Sequence, residues 1–174
     1  MVLADKSPLV YGFEQLLAAS RKSRTPFRFG GAAGAALPVA DVISTCLAGS
    51  ELFGFEGILN GTTNMLLSEM IANHSSIEEE LEIAKELKIT ESDPQFDVQG
   101  WDTAFKTLIL AKAFMDPAAR IEDMQVQGLE GITYAHVEPA LKKGNTLKLL
   151  GKASFEGNHL RLRVKPSVIP PTHP

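Results

Sequence analysis

Residues 91–106 read ESDPQFDVQGWDTAFK, a stretch that gathers the residue types acid–base chemistry needs. Glu91, Asp93, Asp97 and Asp102 supply carboxylates, and Lys106 follows Asp102 by four positions. On a helix such residues share a face, and as a bare surface pair they would be worth only about 0.3–0.5 kcal/mol. The row continues from Lys106 through Ile109, Leu110 and Ala113, which sets the lysine at the edge of an apolar face. A lysine there either snorkels to water or points into a cleft and is held by carboxylates. Loss of hydration would lower its pKa, while nearby Asp and Glu would raise it. A solvated loop and a substrate site are both open at this point.

Two small-residue segments precede this block. NGTTN, 60–64, ends a predicted strand and enters a helix at Thr62, presenting free N–H groups and hydroxyls at a helix N-terminus. That suits an anion or a polar ligand, and equally an ordinary N-cap. GGAAGAALP, 30–38, invites a dinucleotide-binding reading, with Glu51 falling about twenty residues later. Its glycines stand at 30, 31 and 34, so G-x-G-x-x-G is not met, and a helix begins only after Pro38. A tight loop with close backbone approach is the alternative.

The elements that must position these residues are legible from spacing. Ser7-Pro8 is a helix start for 8–22, and 26–29 could be a short strand. A further helix follows Pro38 and is closed by Gly49. Residues 51–59 read as a strand, and the helix after NGTTN runs to Asn73. In 75–87, Ser75 and Ser76 each have a Glu three residues on, and Ile77, Leu81, Ala84 and Leu87 form an apolar stripe. A helix over 101–115 follows the opening block. Strands are predicted over 124–134, 146–155 and 159–165, the last two forming a hairpin about Glu156-Gly157-Asn158. The expectation is one α+β domain over 1–174, with helices packed on one face of a mainly antiparallel sheet.

Composition narrows the function classes. The 174 residues carry a net charge of −4, with 44% hydrophobic and 22% charged residues, as in an ordinary globular protein. No excess of Lys and Arg is available for nucleic acid. Cys46 is the only cysteine and the histidines share no metal-ligand spacing, so a reducing compartment is expected. With no signal-peptide pattern and no apolar run of membrane length, the chain is expected to be cytoplasmic.

Taken in order, the blocks resemble the catalytic domain of homoserine dehydrogenase. ADKSPL, 4–9, is similar to the family's A-N-K-x-P-L, and GILNGTTN, 57–64, to G-I-L-N-G-T-x-N. ESDPQFDVQGWDTAFK matches every fixed position of E-x-D-P-x-x-D-x-x-G-x-D-x-x-x-K, and GGAAGAALP occupies the place of the metal-binding loop. LEGIT and VKPSVIPPTHP also fall where similar stretches stand.

The resemblance implies NAD(P)H-dependent reduction of aspartate 4-semialdehyde to homoserine, in the aspartate branch towards threonine and methionine. Lys106 would be the proton donor. Glu91 and Asp102 would hold the substrate's α-ammonium, with Asp97 in support, and Gly61 and Thr62 would line the pocket. Lys6 would sit between substrate and cofactor, with Lys88 near the nicotinamide. A monovalent cation would lie on the carbonyls of Ala33, Ala35 and Leu37. The family's sheet also implies a homodimer.

The chain departs from the pattern at three positions. Gly30 stands where the metal loop has Glu, Lys88 where Gly is frequent, and Asp5 where the family has Asn. The family's nucleotide-binding domain precedes the first block and a further segment follows the last, so the chain reads as a catalytic domain cut at both ends. The competing readings are a non-catalytic amino-acid-binding or dimerisation module and a nucleotide-binding protein built on GGAAGAALP.

Overall fold

The computed structural model describes residues 1–90 and 94–173. The helix expected over 8–22 is two, α1 (Ser7–Tyr11) and α2 (Phe13–Ser23), parted at Gly12. The first begins one residue earlier than Ser7-Pro8 suggests, with Lys6 at the N-cap and Asp5 just before it. The Asp5 Oδ1 accepts from the Ser7 N–H at 3.0 Å. The strand expected over 26–29 is a single parallel bridge between Val2 and Arg28.

GGAAGAALP is not the loop expected of it. Gly30–Gly34 form a short helix, α3, with Ala32 and Ala33 buried. After Pro38 comes α4 (Val39–Cys46), followed by β1 (Gly54–Gly57) inside the predicted 51–59. The chain continues through α5 (Gly61–Asn73), α6 (Ile77–Glu86), α7 (Gln95–Val98) and α8 (Trp101–Phe114). Of the two serines before α6, Ser76 is the cap: its N–H donates to Glu79 Oε2 at 2.7 Å, and its Oγ accepts from the Glu79 N–H at 3.2 Å.

Only β2 (Met124–Val126) forms from the strand expected over 124–134, and the chain then turns into α9 (Tyr134–Leu141). The apolar residues there do not alternate across a sheet. Leu129, fully buried, donates its N–H to the Val98 carbonyl at 2.8 Å, and the Ile132 carbonyl accepts from the Ile77 N–H at 3.0 Å. The C-terminal hairpin forms as predicted from β3 (Thr146–Glu156) and β4 (His159–Ile169).

The sheet order is β1-β3-β4-β2. β1 and β4 flank β3 antiparallel, but β2 lies parallel to β4, so the sheet is mixed rather than purely antiparallel. The chain passes from β2 to β4 through α9 and β3 and not by a hairpin, which permits the parallel pairing. The central strands bury Leu147, Leu149 and Ala153 together with Leu162 and Val164. Gly151, on the same face, meets α8 so closely that an added Cβ would overlap Thr107 Oγ1. Helix α8 thus lies directly on the sheet, with Leu108 and Ile109 at 0% exposure. Each such side chain contributes roughly 1.5–3 kcal/mol by burial. The opposite face carries Glu56, Lys152, Arg163 and Lys165, none of them buried.

Candidate active site

The N-termini of α5 and α8 meet, and each is placed by its sequence. Asn60 is extended (φ −134°, ψ 124°) and caps α5, its Oδ1 accepting from the Thr63 N–H at 2.8 Å. α8 starts after Gly100, whose φ of +86° is a conformation that L side chains rarely adopt. A Cβ there would also press on Val126 and Val164, each at 3.3 Å. This turn puts Asp102 in the first turn of α8, where the helix dipole favours a carboxylate.

Asp102 is only 6% exposed and accepts from three donors. Its Oδ2 takes Lys106 Nζ at 2.7 Å and Asn60 Nδ2 at 2.8 Å, and its Oδ1 takes Lys6 Nζ at 3.3 Å. Lys106 Nζ also donates to the Leu59 carbonyl at 2.9 Å, just before the α5 cap. An ammonium has three N–H bonds. Two of those on Lys106 are thus directed at described residues, while 19% of its side chain stays open to solvent. Asp97, half-buried on α7, accepts from Asn60 Nδ2 at 2.8 Å and from the Thr62 hydroxyl.

The two carboxylates differ in acidity. Burial raises the Asp97 carboxyl above its ordinary value, and the neighbouring Asp102 charge adds to that. Hydrogen bonds from Asn60 and Thr62 and the Lys106 charge oppose the rise without cancelling it. Burial pushes Asp102 the same way, but hydrogen bonds from Lys106 and Asn60, with the charges of Lys106 and Lys6, outweigh it and hold that carboxyl low. The arrangement can keep one carboxylate ionised against a lysine, with a second carboxylate alongside.

Lys6, Asp97, Asp102, Lys106 and Thr62 therefore come together from four segments of the chain. Gly61 is exposed at the first position of α5, and a Cβ there would meet nothing within 4 Å. Glu91 lies outside the described residues. Lys88 is exposed at the end of α6 with φ +54° and has no ion pair among the described residues. A left-handed position after a helix is the usual place for glycine, which accounts for Gly being frequent there in the family pattern. Asp5, next to Lys6, accepts from the Ser7 N–H just ahead of α1. Sequence reasoning left NGTTN open between a polar-ligand site and an ordinary N-cap, and missed the reach of Asn60 to two carboxylates 37 and 42 residues away. The preference of Asn for N-caps was the only local signal.

Ala33 is buried within α3, Ala35 has φ +50°, and the exposed Leu37 uses its carbonyl to accept from the Val39 N–H at 2.8 Å. Gly30 brings no carboxylate, and no group of three or more His, Cys, Asp or Glu suited to a metal occurs among the described residues. A cleft of about 620 Å³ is lined by Asp116, Asp123, Gln125, His159, Arg161 and Arg163 among others, and contains none of the clustered side chains. No described helix is long and apolar enough to cross a membrane.

A family model described as homoserine dehydrogenase matches residues 38–174. The homoserine dehydrogenase of Methanocaldococcus jannaschii is 39% identical over 152 residues, 87% of this chain and 45% of that protein. An NAD(+)-dependent homoserine dehydrogenase of Pseudomonas canavaninivorans is 30% identical over 100% of this chain and 49% of its own length. The crystal structure of a homoserine dehydrogenase from Thiobacillus denitrificans has a TM-score of 0.91 at 31% identity, over 99% of this chain and 40% of that one. The chain spans less than half the length of each of these proteins.

Proposed function

This chain belongs to the homoserine dehydrogenase family, and from that premise we propose that it is the substrate-binding and catalytic part of an enzyme that interconverts aspartate 4-semialdehyde and L-homoserine. The observation that carries the reading is the Lys106 ammonium, held by Asp102 at 2.7 Å and by the Leu59 carbonyl at 2.9 Å. In the reduction, NAD(P)H supplies the hydride when bound. Charge develops on the aldehyde oxygen as its carbon is reduced, and the remaining N–H of Lys106 is suited to stabilise that oxygen and protonate it. Asp102 holds the ammonium in place.

The substrate's α-ammonium needs a carboxylate with acceptor capacity left. Asp102 already holds Lys106, Asn60 and Lys6, so the reading assigns that part chiefly to Asp97, with Asp102 as the lysine's partner. A share for Glu91 rests on the family resemblance. Gly61, with open space around it, and Thr62, bonded to Asp97, border the same spot. Lys6, with 32% of its side chain exposed, is the residue suited to face the cofactor. In this reading most cofactor contacts, with any role for Lys88, come with a nucleotide-binding domain. The sheet face that carries Glu56, Lys152, Arg163 and Lys165 is proposed to pair two copies as a homodimer, and sedimentation at the monomer mass would count against that.

The test is homoserine-dependent reduction of NAD(P)+ by this chain joined to a nucleotide-binding domain. Turnover above the homoserine-free rate is expected. A folded, cofactor-binding protein with none would sink the proposal.

A further inference from the structure

Asn60 is an uncharged side chain buried among four charged ones, at 6% exposure. Its Oδ1 caps α5, accepting from the Thr63 N–H at 2.8 Å and from the Thr63 hydroxyl at 3.1 Å. Its Nδ2 donates to Asp97 Oδ1 at 2.8 Å and to Asp102 Oδ2 at 2.8 Å. An N-cap needs only the oxygen, and Ser, Thr or Asp serves about as well. The second half of this amide is therefore unexplained by the helix. Of the residues that cap well, Asn is the one that also presents two N–H bonds from the far side of the same short side chain.

Those two N–H bonds go to carboxylates on different elements, Asp97 on α7 and Asp102 on α8. Two such groups side by side repel, and one of them would otherwise turn away or take up a proton. We propose that Asn60 is a positioning residue whose amide clamps Asp97 and Asp102 together, one N–H to each, so that Asp102 Oδ2 faces Lys106 and Asp97 is left ionised towards the substrate's ammonium. The part concerning substrate rests on the dehydrogenase reading above; the clamp does not. The raised pKa of Asp97, due first to burial, is in keeping with a pair held close, since the Asp102 charge adds to it and the Asn60 bond opposes it.

Asn60→Ser tests this, because a serine retains a neutral cap and loses the reach to both carboxylates. Carboxyl NMR of the chain labelled at aspartate should show the Asp97 midpoint moving up by on the order of one pH unit. In the protein joined to a nucleotide-binding domain, kcat should fall about 10- to 100-fold, with the limb of the pH–rate profile moved in the same direction. Asn60→Asp provides the second arm, since it preserves both the shape and the cap while removing both donors, and it should move the titration further. If Asn60 were a cap and nothing more, either variant would replace it at little cost in thermal stability and leave both titration and profile where they are. Unmoved carboxyl midpoints in either folded variant overturn the clamp. Moved midpoints in a completed protein that never oxidises homoserine would support the clamp and sink the dehydrogenase reading.

Discussion

Lys106 and Lys112 stand on the same helix, six residues apart, and the fold treats their charges in opposite ways. Lys106 has a carboxylate at 2.7 Å, a carbonyl at 2.9 Å and an open path to solvent. Lys112 is the more deeply buried, at 7% exposure, with no carboxylate at ion-pair distance among the described residues. Burial lowers its pKa, and the more distant Glu14, Glu122 and Asp116 only partly oppose that. Desolvation by itself does not make a catalytic lysine. Lys106 is distinguished by groups from several elements that hold its charge in place and leave a donor over, whereas Lys112 carries a cost of folding and no partner to aim it.

The strongest way to break the contrast is to remove the carboxylate. Asp102→Ala leaves Lys106, Lys6 and the Asn60 amide without their shared acceptor. It should cost about 1–3 kcal/mol of stability, read by urea unfolding, since hydrogen bonds to a charged group are lost. Turnover of the completed enzyme should drop about 100-fold or more, because the proton donor is no longer aimed. Unchanged stability would mean that the cluster is a solvated surface pair.

Asp97→Asn sharpens the comparison from the other side. The folded-state pKa of Asp97 lies above its unfolded value, so its ionised form weakens the fold at neutral pH. An isosteric neutral residue should raise stability there by up to about 1 kcal/mol, and the gain should fade as pH falls through the raised folded-state value and be gone below the ordinary aspartate value near 4. Asp102, held low, has the reverse linkage: its contribution is present above that value and is lost as acid protonates it in the folded state. Thermal melts of both proteins between pH 3 and 7 check the sign.

The smallest effect is expected at Lys112. Its folded pKa lies below the unfolded one, so charging it weakens the fold at neutral pH, and the penalty shrinks as pH rises towards the ordinary lysine value near 10.4. Lys112→Met, which keeps the stem and removes the charge, should stabilise by about 0.5–1 kcal/mol at pH 7 and by less at pH 10. A loss of stability would show that Lys112 has a partner that matters.

What was legible in the sequence follows from how local each feature is. Helix α8, the Ser76 capping box and the C-terminal hairpin rest on spacing within a dozen residues, and the structure has them where expected. The i,i+4 pair of Asp102 and Lys106 is local in the same sense. The misreadings involve tertiary contact. Residues 124–134 look alternating, but Leu129 and Ile132 are fixed by Val98 and Ile77 from other elements. Small residues at 30–34 suggested a loop, yet they fold as a helix whose alanines pack in the core. The parallel placing of β2 and the joining of Asn60 to Asp97 and Asp102 are long-range, and no spacing within one segment records them.

The central claim is that the lysine held by Asp102 protonates the substrate oxygen. The most direct test compares kcat for homoserine oxidation in Lys106→Ala and Lys112→Ala, each in the enzyme completed with a nucleotide-binding domain. The account predicts a fall of about 100- to 10,000-fold for the first and a rate close to wild type for the second. Near-full turnover by Lys106→Ala, in a protein that still binds homoserine, would contradict it.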